Sequence, residues 1–147
     1  MRSKLFVPGS RTELFAKALA GDADAISFDV EDSVPEGVKA RARQDVADFL
    51  RARAARATSK LIIVRINAWG SPHFDADLAA FACAGVTLLN LPKVLSATEV
   101  QSAAALLSEA ERRNGIREPI RLLVTIESGR AMRLAASGHL FTSEESR

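Results

Sequence analysis

The stretch "FDVEDSV" (28–34) sets three acids, Asp29, Glu31 and Asp32, within four residues at the end of an apolar run, "AISF". "LIIVRIN" (61–67) places Arg65 between valine and isoleucine, and Lys93 follows Pro92 in "VTLLNLPKV" (86–94). "RLLVTIE" (121–127) ends on Glu127. An unpaired carboxylate in an apolar strand is expensive, so these acids need partners. Arg65 and Lys93 can supply charge, and so can a bound cation. Oxygen ligands without clustered His or Cys suit a hard ion such as Mg²⁺, often held by one or two carboxylates plus substrate and water. His73 and His139 fall outside any recognised zinc-ligand spacing. An arginine on a core strand requires an anion beside it, which makes Arg65 the strongest functional candidate. Plainer roles stand beside these. Glu31 or Asp32 caps the next helix or pairs with Lys39 or Arg43; Asp29 serves as a structural acid; Lys93 extends outward into solvent.

The elements that must position these residues alternate between two periods. Strands are expected at 4–9, 24–31, 61–67, 86–94 and 121–127, and helices at 11–21, 35–56, 72–85, 97–114 and 128–138. Leu14, Phe15, Ala18 and Leu19 share a face of the first helix, and Val38, Ala42, Val46, Phe49 and Leu50 a stripe of the second. Ser10–Glu13, Ser33–Glu36 and Ser96–Glu99 each fit Ser-x-x-Glu, which predicts a capping box at three helix starts. Pro35 and Pro72 fall in expected first turns, where a missing N–H costs nothing. Strict βα alternation predicts a parallel sheet covered by helices. "VPGSRTE" carries one glycine rather than the three of a dinucleotide-binding turn, so a βα barrel is favoured over an open doubly wound sheet.

Alternation along each strand puts Asp29 and Glu31 opposite Phe28 and Val30, Arg65 and Asn67 opposite Val64 and Ile66, and Thr125 and Glu127 opposite Val124 and Ile126. The apolar faces pack on helices, and the polar faces point inward. Their polar residues gather at strand C-terminal ends, where parallel βα folds build active sites.

At 147 residues the chain is of single-domain size, with 48% apolar and 26% charged residues. A net charge of +2 without long runs of one sign speaks against nucleic acid as a partner. The arginine-rich "KARARQDVADFLRARAAR" reads as a solvated face over a core stripe, since aromatic platforms are missing. The single cysteine, Cys83, lies in a helical pattern and is expected in the core. No apolar run approaches the ~20 residues of a membrane span, and no signal segment opens the chain. A cytoplasmic protein is the expectation.

Taken together, "LFVPGSR", "DAISFDVEDSV" followed by Lys39, Ala42 and Arg43, "VRIN", "LPKV" and "TIES" resemble, in order and spacing, the citrate lyase β-subunit-like proteins of the HpcH/HpaI aldolase superfamily. Malyl-CoA and citramalyl-CoA lyases are relatives. The match covers roughly Ser3 to Ala136, and Val30 stands where the usual "DLEDSV" has leucine. The resemblance implies a TIM-type (β/α)8 barrel, here the first five βα units (1–136) with an irregular tail (137–147). It implies Mg²⁺-dependent cleavage of a carbon–carbon bond in a 3-hydroxyacyl thioester of CoA or an acyl carrier protein. Arg65 would bind the keto-acid oxygens, with Glu31 and Asp32 near the metal and its waters. Glu127 would be a metal ligand at the substrate, and Arg2 and Arg11 would lie where CoA approaches. The family's second metal ligand, an aspartate in a "G-x-x-D" segment, has no counterpart here, and three strands are wanting. The expectation is a truncated member with impaired activity and, through its open strand edges, either self-association or only marginal stability. The rival is a non-catalytic remnant or interaction module of the same fold. The "LFVPG" and "DVEDSV" pair argues against a phosphoenolpyruvate-handling barrel.

Overall fold

A computed structural model describes residues 1–52 and 58–136. His139, the 137–147 tail and the ends of the expected 35–56 and 128–138 helices lie outside them. Five parallel strands alternate with five α-helices: β1 (Lys4–Pro8), α1 (Phe15–Ala20), β2 (Ala25–Asp29), α2 (Lys39–Arg51), β3 (Leu61–Arg65), α3 (Phe74–Phe81), β4 (Leu88–Leu91), α4 (Ala97–Arg113), β5 (Arg121–Val124) and α5 (Gly129–Ala136). Each strand pairs with the next in the order β1-β2-β3-β4-β5. A doubly wound sheet reverses its growth at a switch point and sends helices to both faces. This sheet never reverses, and right-handed crossovers then keep the helices on one side. Accordingly α2 packs against α3, and α3 against α4. The result is an arc of βα barrel.

The core lies between the sheet's outer face and the helices. Ile26, Phe28, Ile62, Val64 and Leu89 are buried there against Phe15, Val46, Leu50, Leu78, Phe81 and Leu107. Phe15 meets Phe28 edge-on at 5.0 Å between ring centroids. Cys83 is a buried member of this core. Val38, expected on the α2 stripe, is exposed, because it belongs to a short 3-10 turn (Glu36–Val38) before α2 begins.

Gly9 explains the end of "LFVPG". A Cβ there would sit 3.0 Å from the Asp29 carbonyl oxygen and 3.0 Å from Val30 Cγ1. The Gly9 N–H instead donates to the Asp29 carbonyl at 2.7 Å. Only a residue without a side chain lets β1 close this tightly on the end of β2.

Of the three expected capping boxes, only the one at Ser96 forms a side-chain cap, with its glutamate displaced by one residue onto Leu95. Ser96 Oγ accepts from the Glu99 N–H at 3.3 Å, and Glu99 Oε2 accepts from the Leu95 N–H at 2.8 Å. Neither Ser10 nor Ser33 caps a helix, since 3-10 turns intervene with Arg11 and Pro35 at their starts. Glu13 pairs with Arg11, and Glu36 reaches His73. The motif requires a helix to start directly after the serine, and only α4 does.

Asn67 departs from its expected inward position. β3 ends at Arg65, and Asn67 turns toward the helices, where it is buried. Its N–H and Nδ2 both donate to Asp77 Oδ2, at 2.9 and 2.6 Å, and Nδ2 also reaches the Val30 carbonyl. Asp77 Oδ1 accepts from Arg43 Nε at 2.6 Å. Lys39 Nζ joins Asn67 Oδ1 to the Val30 and Glu31 carbonyls, at 2.9, 3.2 and 2.6 Å. Lys39 and Arg43 therefore hold the β2–α2 loop and α3 in place rather than pairing with the Glu31 or Asp32 carboxylates. Asp77→Ala would leave a part-buried guanidinium without its carboxylate and the Asn67 N–H unpaired. Urea unfolding is expected to show a loss of roughly 3 kcal/mol or more; a loss below 1 kcal/mol would show that the network adds no stability.

Candidate active site

Register puts the candidate residues in one layer. Pro8, Asp29, Arg65, Asn90 and Leu123 are neighbours across the five strands. The pairing continues past the strand ends, with the Val30 N–H on the Arg65 carbonyl, the Ile66 N–H on the Asn90 carbonyl and the Thr125 N–H on the Leu91 carbonyl. The layer therefore lies at the C-terminal mouth of the sheet.

Asp29 is its centre. It is 2% exposed. Arg65 grips it side-on, Nε to Oδ1 at 2.9 Å and Nη2 to Oδ2 at 2.7 Å. The same carboxylate accepts the backbone N–H of Glu31 at 3.0 Å and of Ser33 at 3.1 Å. Burial disfavours its charge, but the hydrogen bonds from Arg65 and the loop outweigh that and hold the carboxyl below the ordinary range. Asp29 in turn keeps Arg65 firmly protonated. The Arg65 guanidinium lies 5.3 Å from the ring centroid of Phe6, one layer below.

The remaining edge of Arg65 faces the next two acids. Nη1 is 3.5 Å from Glu31 Oε2 and 3.7 Å from Asp32 Oδ2. Lys93 closes the group from β4, with Nζ 2.5 Å from Glu31 Oε1 and 2.9 Å from Asp32 Oδ1. The Lys93 ammonium chiefly lowers Asp32's affinity for its proton, and both acids raise that of Lys93. Glu31 is buried, yet its Oε2 accepts no hydrogen bond. Three carboxylates thus face two cations.

Asp29, read from the sequence as more often a structural acid on the inward face near Arg65, is here the partner that Arg65 requires. Lys93 has a backbone φ of +55°, unique among the described non-glycine residues. That left-handed conformation costs about 1–2 kcal/mol in an L-residue. No spacing rule reveals it.

The other candidates stand apart. Glu127, beyond the end of β5, is exposed and has no hydrogen-bond or ion-pair partner among the described residues. Arg11 is exposed beside Glu13. Arg2 lies at the opposite end of the sheet, its guanidinium 3.8 Å from Asp24 Oδ1, so the structure does not bring it to the mouth. Asn90 enters the site unannounced, accepting from Thr125 Oγ1 at 2.6 Å beside Arg65.

The acids suit a hard divalent cation by type. All are carboxylates, Glu31 offers an orphan buried oxygen and Glu127 an unpartnered one. Among the described residues no three His, Cys, Asp or Glu side chains converge as a ready-made ligand set. By chemistry they fit as part of such a site.

A parallel βα arc with an arginine and acids at its C-terminal mouth defines part of a βα barrel. The family model for HpcH/HpaI aldolase/citrate lyase matches residues 2–137, and the chain belongs to that family. It is 35% identical over 133 residues to a citrate lyase subunit beta-like protein of Deinococcus radiodurans, covering 88% of this chain and 44% of that protein. It is 37% identical over 130 residues to an L-malyl-CoA/beta-methylmalyl-CoA lyase of Cereibacter sphaeroides, covering 86% of this chain and 40% of the lyase. Among solved structures, protein CitE of Mycobacterium tuberculosis in complex with magnesium, acetoacetate and coenzyme A superposes with a TM-score of 0.70 at 32% identity. That match covers 93% of this chain and 43% of CitE. The chain spans less than half the length of each of these relatives.

Two outcomes follow from the charges. Arg65→Met leaves Asp29 buried without its cation and is expected to cost roughly 3 kcal/mol at neutral pH. Because the folded Asp29 pKa is depressed, the pair's stabilisation is present above the ordinary carboxylate pKa, about 4, and is lost as pH falls through the lower folded value. The wild-type/variant difference should therefore shrink in acid; a difference independent of pH from 7 to 3 contradicts this. At position 93, Lys93→Gly should unfold about 1 kcal/mol less readily than Lys93→Ala, since both lose the ammonium and only glycine sheds the strain. Equal stabilities would show that the left-handed backbone is not strained.

Proposed function

We propose that this chain carries the N-terminal half of a Mg²⁺-dependent carbon–carbon lyase. Its substrate is a 3-hydroxyacyl thioester of the malyl-, citramalyl- or citryl-CoA kind, cleaved to an acyl thioester and a keto acid. The carrying observation is Arg65, fixed by Asp29 at the mouth of the sheet with one guanidinium edge turned toward Glu31 and Asp32. That edge suits the carboxylate and carbonyl oxygens of the keto-acid portion, and its pairing with Asp29 prevents it from following a departing product. Cleavage takes a proton from the C3 hydroxyl, breaks the C2–C3 bond and leaves the electron pair as a thioester enolate, which is then protonated at C2. Negative charge passes through the C3 oxygen, where pre-oriented donors stabilise it best. Glu31 and Asp32 would orient waters in front of Arg65, and Glu127, without a partner among the described residues, would be one metal ligand. A bound divalent ion would supply Lewis-acid stabilisation of the same oxygens. Lyases among the relatives, and the magnesium and coenzyme A bound to CitE, support this reading.

Arg11, exposed after β1, is the better placed of the two basic candidates for CoA. No helix among the described residues is long and apolar enough to cross a membrane. A cytoplasmic homo-oligomer is part of the proposal, and exposed Leu5 and Phe6 on β1 favour self-association. The rival, a non-catalytic module of this fold, draws on the lack of three convergent ligands among the described residues.

The test is to incubate the chain with Mg²⁺ and malyl-, citramalyl- or citryl-CoA and follow acetyl-CoA by chromatography. Slow cleavage is expected, reduced at least about 100-fold in Arg65→Lys, which keeps the charge but loses the two-pronged grip. Cleavage indifferent to Arg65→Lys would remove Arg65 from the mechanism, and no acetyl-CoA from any of the three would favour the module.

A further inference from the structure

The mouth layer holds one polar side chain that the ion pairs do not use. Asn90 lies on β4, in register between Arg65 and Leu123. Leu89 and Leu91 on either side of it pack into the helical core, so Asn90 points to the inner face. The residue is 3% exposed. Thr125 Oγ1 donates to its Oδ1 at 2.6 Å, and the Thr125 N–H is itself held on the Leu91 carbonyl at 3.0 Å. That bond engages the acceptor end of the amide and fixes which way the group is turned. The donor end, Nδ2, has no partner among the described residues, an unfavourable state for an amide on a buried residue. Among the described residues only Ser27 Oγ and Glu31 Oε2 are both unpartnered and sealed from solvent, so Nδ2 still touches solvent.

We propose that Asn90 is a specificity-determining residue, whose Nδ2 donates to the C2 oxygen of a 2-oxo acid while Arg65 takes the acid's carboxylate. The ligand class rests on the function proposed above. Asp29 draws the Arg65 guanidinium toward β2, which leaves the inner face over β4 to another group of the same ligand. Neighbouring strands are about 4.8 Å apart, so donors from β3 and β4 together span two directly bonded carbons that both carry oxygen. Pro8 and Leu123, at the ends of the layer, have no polar side-chain atom to compete for it. With Oδ1 engaged, Asn90 offers only donors, which suits a carbonyl oxygen. Such a donor discriminates well, because an analogue without the oxygen leaves it unpaired. The C3 oxygen of the thioester becomes this C2 oxygen on cleavage, so the same hydrogen bond meets the developing charge.

The probes are pyruvate and propionate, which share the carboxylate and the carbon chain and differ in the C2 oxygen. Their binding to the 147-residue chain is measured by ligand-observed NMR titration, without metal, so that no cation reads the same oxygen. The unaltered chain is expected to prefer pyruvate roughly fivefold, the net worth of one hydrogen bond. Asn90→Leu should abolish that preference by weakening pyruvate alone. The Thr125 pair gives a second reading with position 90 intact. Thr125→Val, which frees the amide to turn, should lose part of the preference, and Thr125→Ser should keep it. An Asn90 that only braces β5 gives a different result, since its loss would weaken both acids alike. That outcome overturns the proposal, as does a pyruvate preference that survives Asn90→Leu, equal preference in the two Thr125 variants, or no binding or no preference in the unaltered chain. No thioester is used, so failure of the lyase reading and failure of this one are separate results.

Discussion

The side-on ion pair between Asp29 and Arg65 is the interaction on which the mouth of this sheet depends. Two charges leave water there, and burial alone would make that unfavourable. It is tolerable because the Asp29 carboxylate receives four hydrogen bonds, two from the guanidinium and two from the backbone of its own loop. One carboxylate thereby couples β2 to β3, aims Arg65 and shapes the chain carrying Glu31 and Asp32. Arg65 is then left with a single edge for other anions, and that edge looks onto the two acids.

The same loop is gripped from behind. Lys39 on α2 binds its carbonyls, and Asn67 and Asp77 tie it to the end of β3 and to α3. Polar residues on the helical side thus have a structural purpose, while on the inner side Asp29 and Glu31 are buried and Asp32 and Lys93 reach solvent. This division gives Lys39, Ala42 and Arg43, which follow the acidic motif, a common purpose. The lysine and arginine secure the loop, and Ala42 between them is buried where a larger side chain would separate α2 from the core. Gly9 belongs to the same design, letting β1 approach the Asp29 carbonyl.

The chain belongs to the HpcH/HpaI aldolase/citrate lyase family, and its charged residues gather at the C-terminal mouth of the sheet. Glu31 and Asp32 are matched by Lys93 and Arg65, and Glu127 stands clear of any partner among the described residues. Arg65 and Lys93 offset most of the charge of the three acids, which lets adjacent acids coexist on a short loop.

Much of the architecture was legible beforehand. Strand and helix alternation follows from apolar spacing, because burying one face of a strand or helix imposes its own period on the sequence. The inward position of Asp29 and the need of Arg65 for an anion followed from the same rule. Legibility failed where a local choice depends on distant atoms. Ser10 and Ser33 have the spacing of caps, but 3-10 turns take the helix starts from them. Asn67 has the parity of an inward residue, but β3 ends two residues earlier and Asp77 draws it outward. By itself the sequence determined the order of elements, the one-sided burial of each and the set of charged residues available. Only the tertiary structure decided which charges meet. Pairing Asp29 with Arg65, Lys93 with Glu31 and Arg43 with Asp77 requires strand register, loop curvature and helix packing, which no run of neighbouring residues contains.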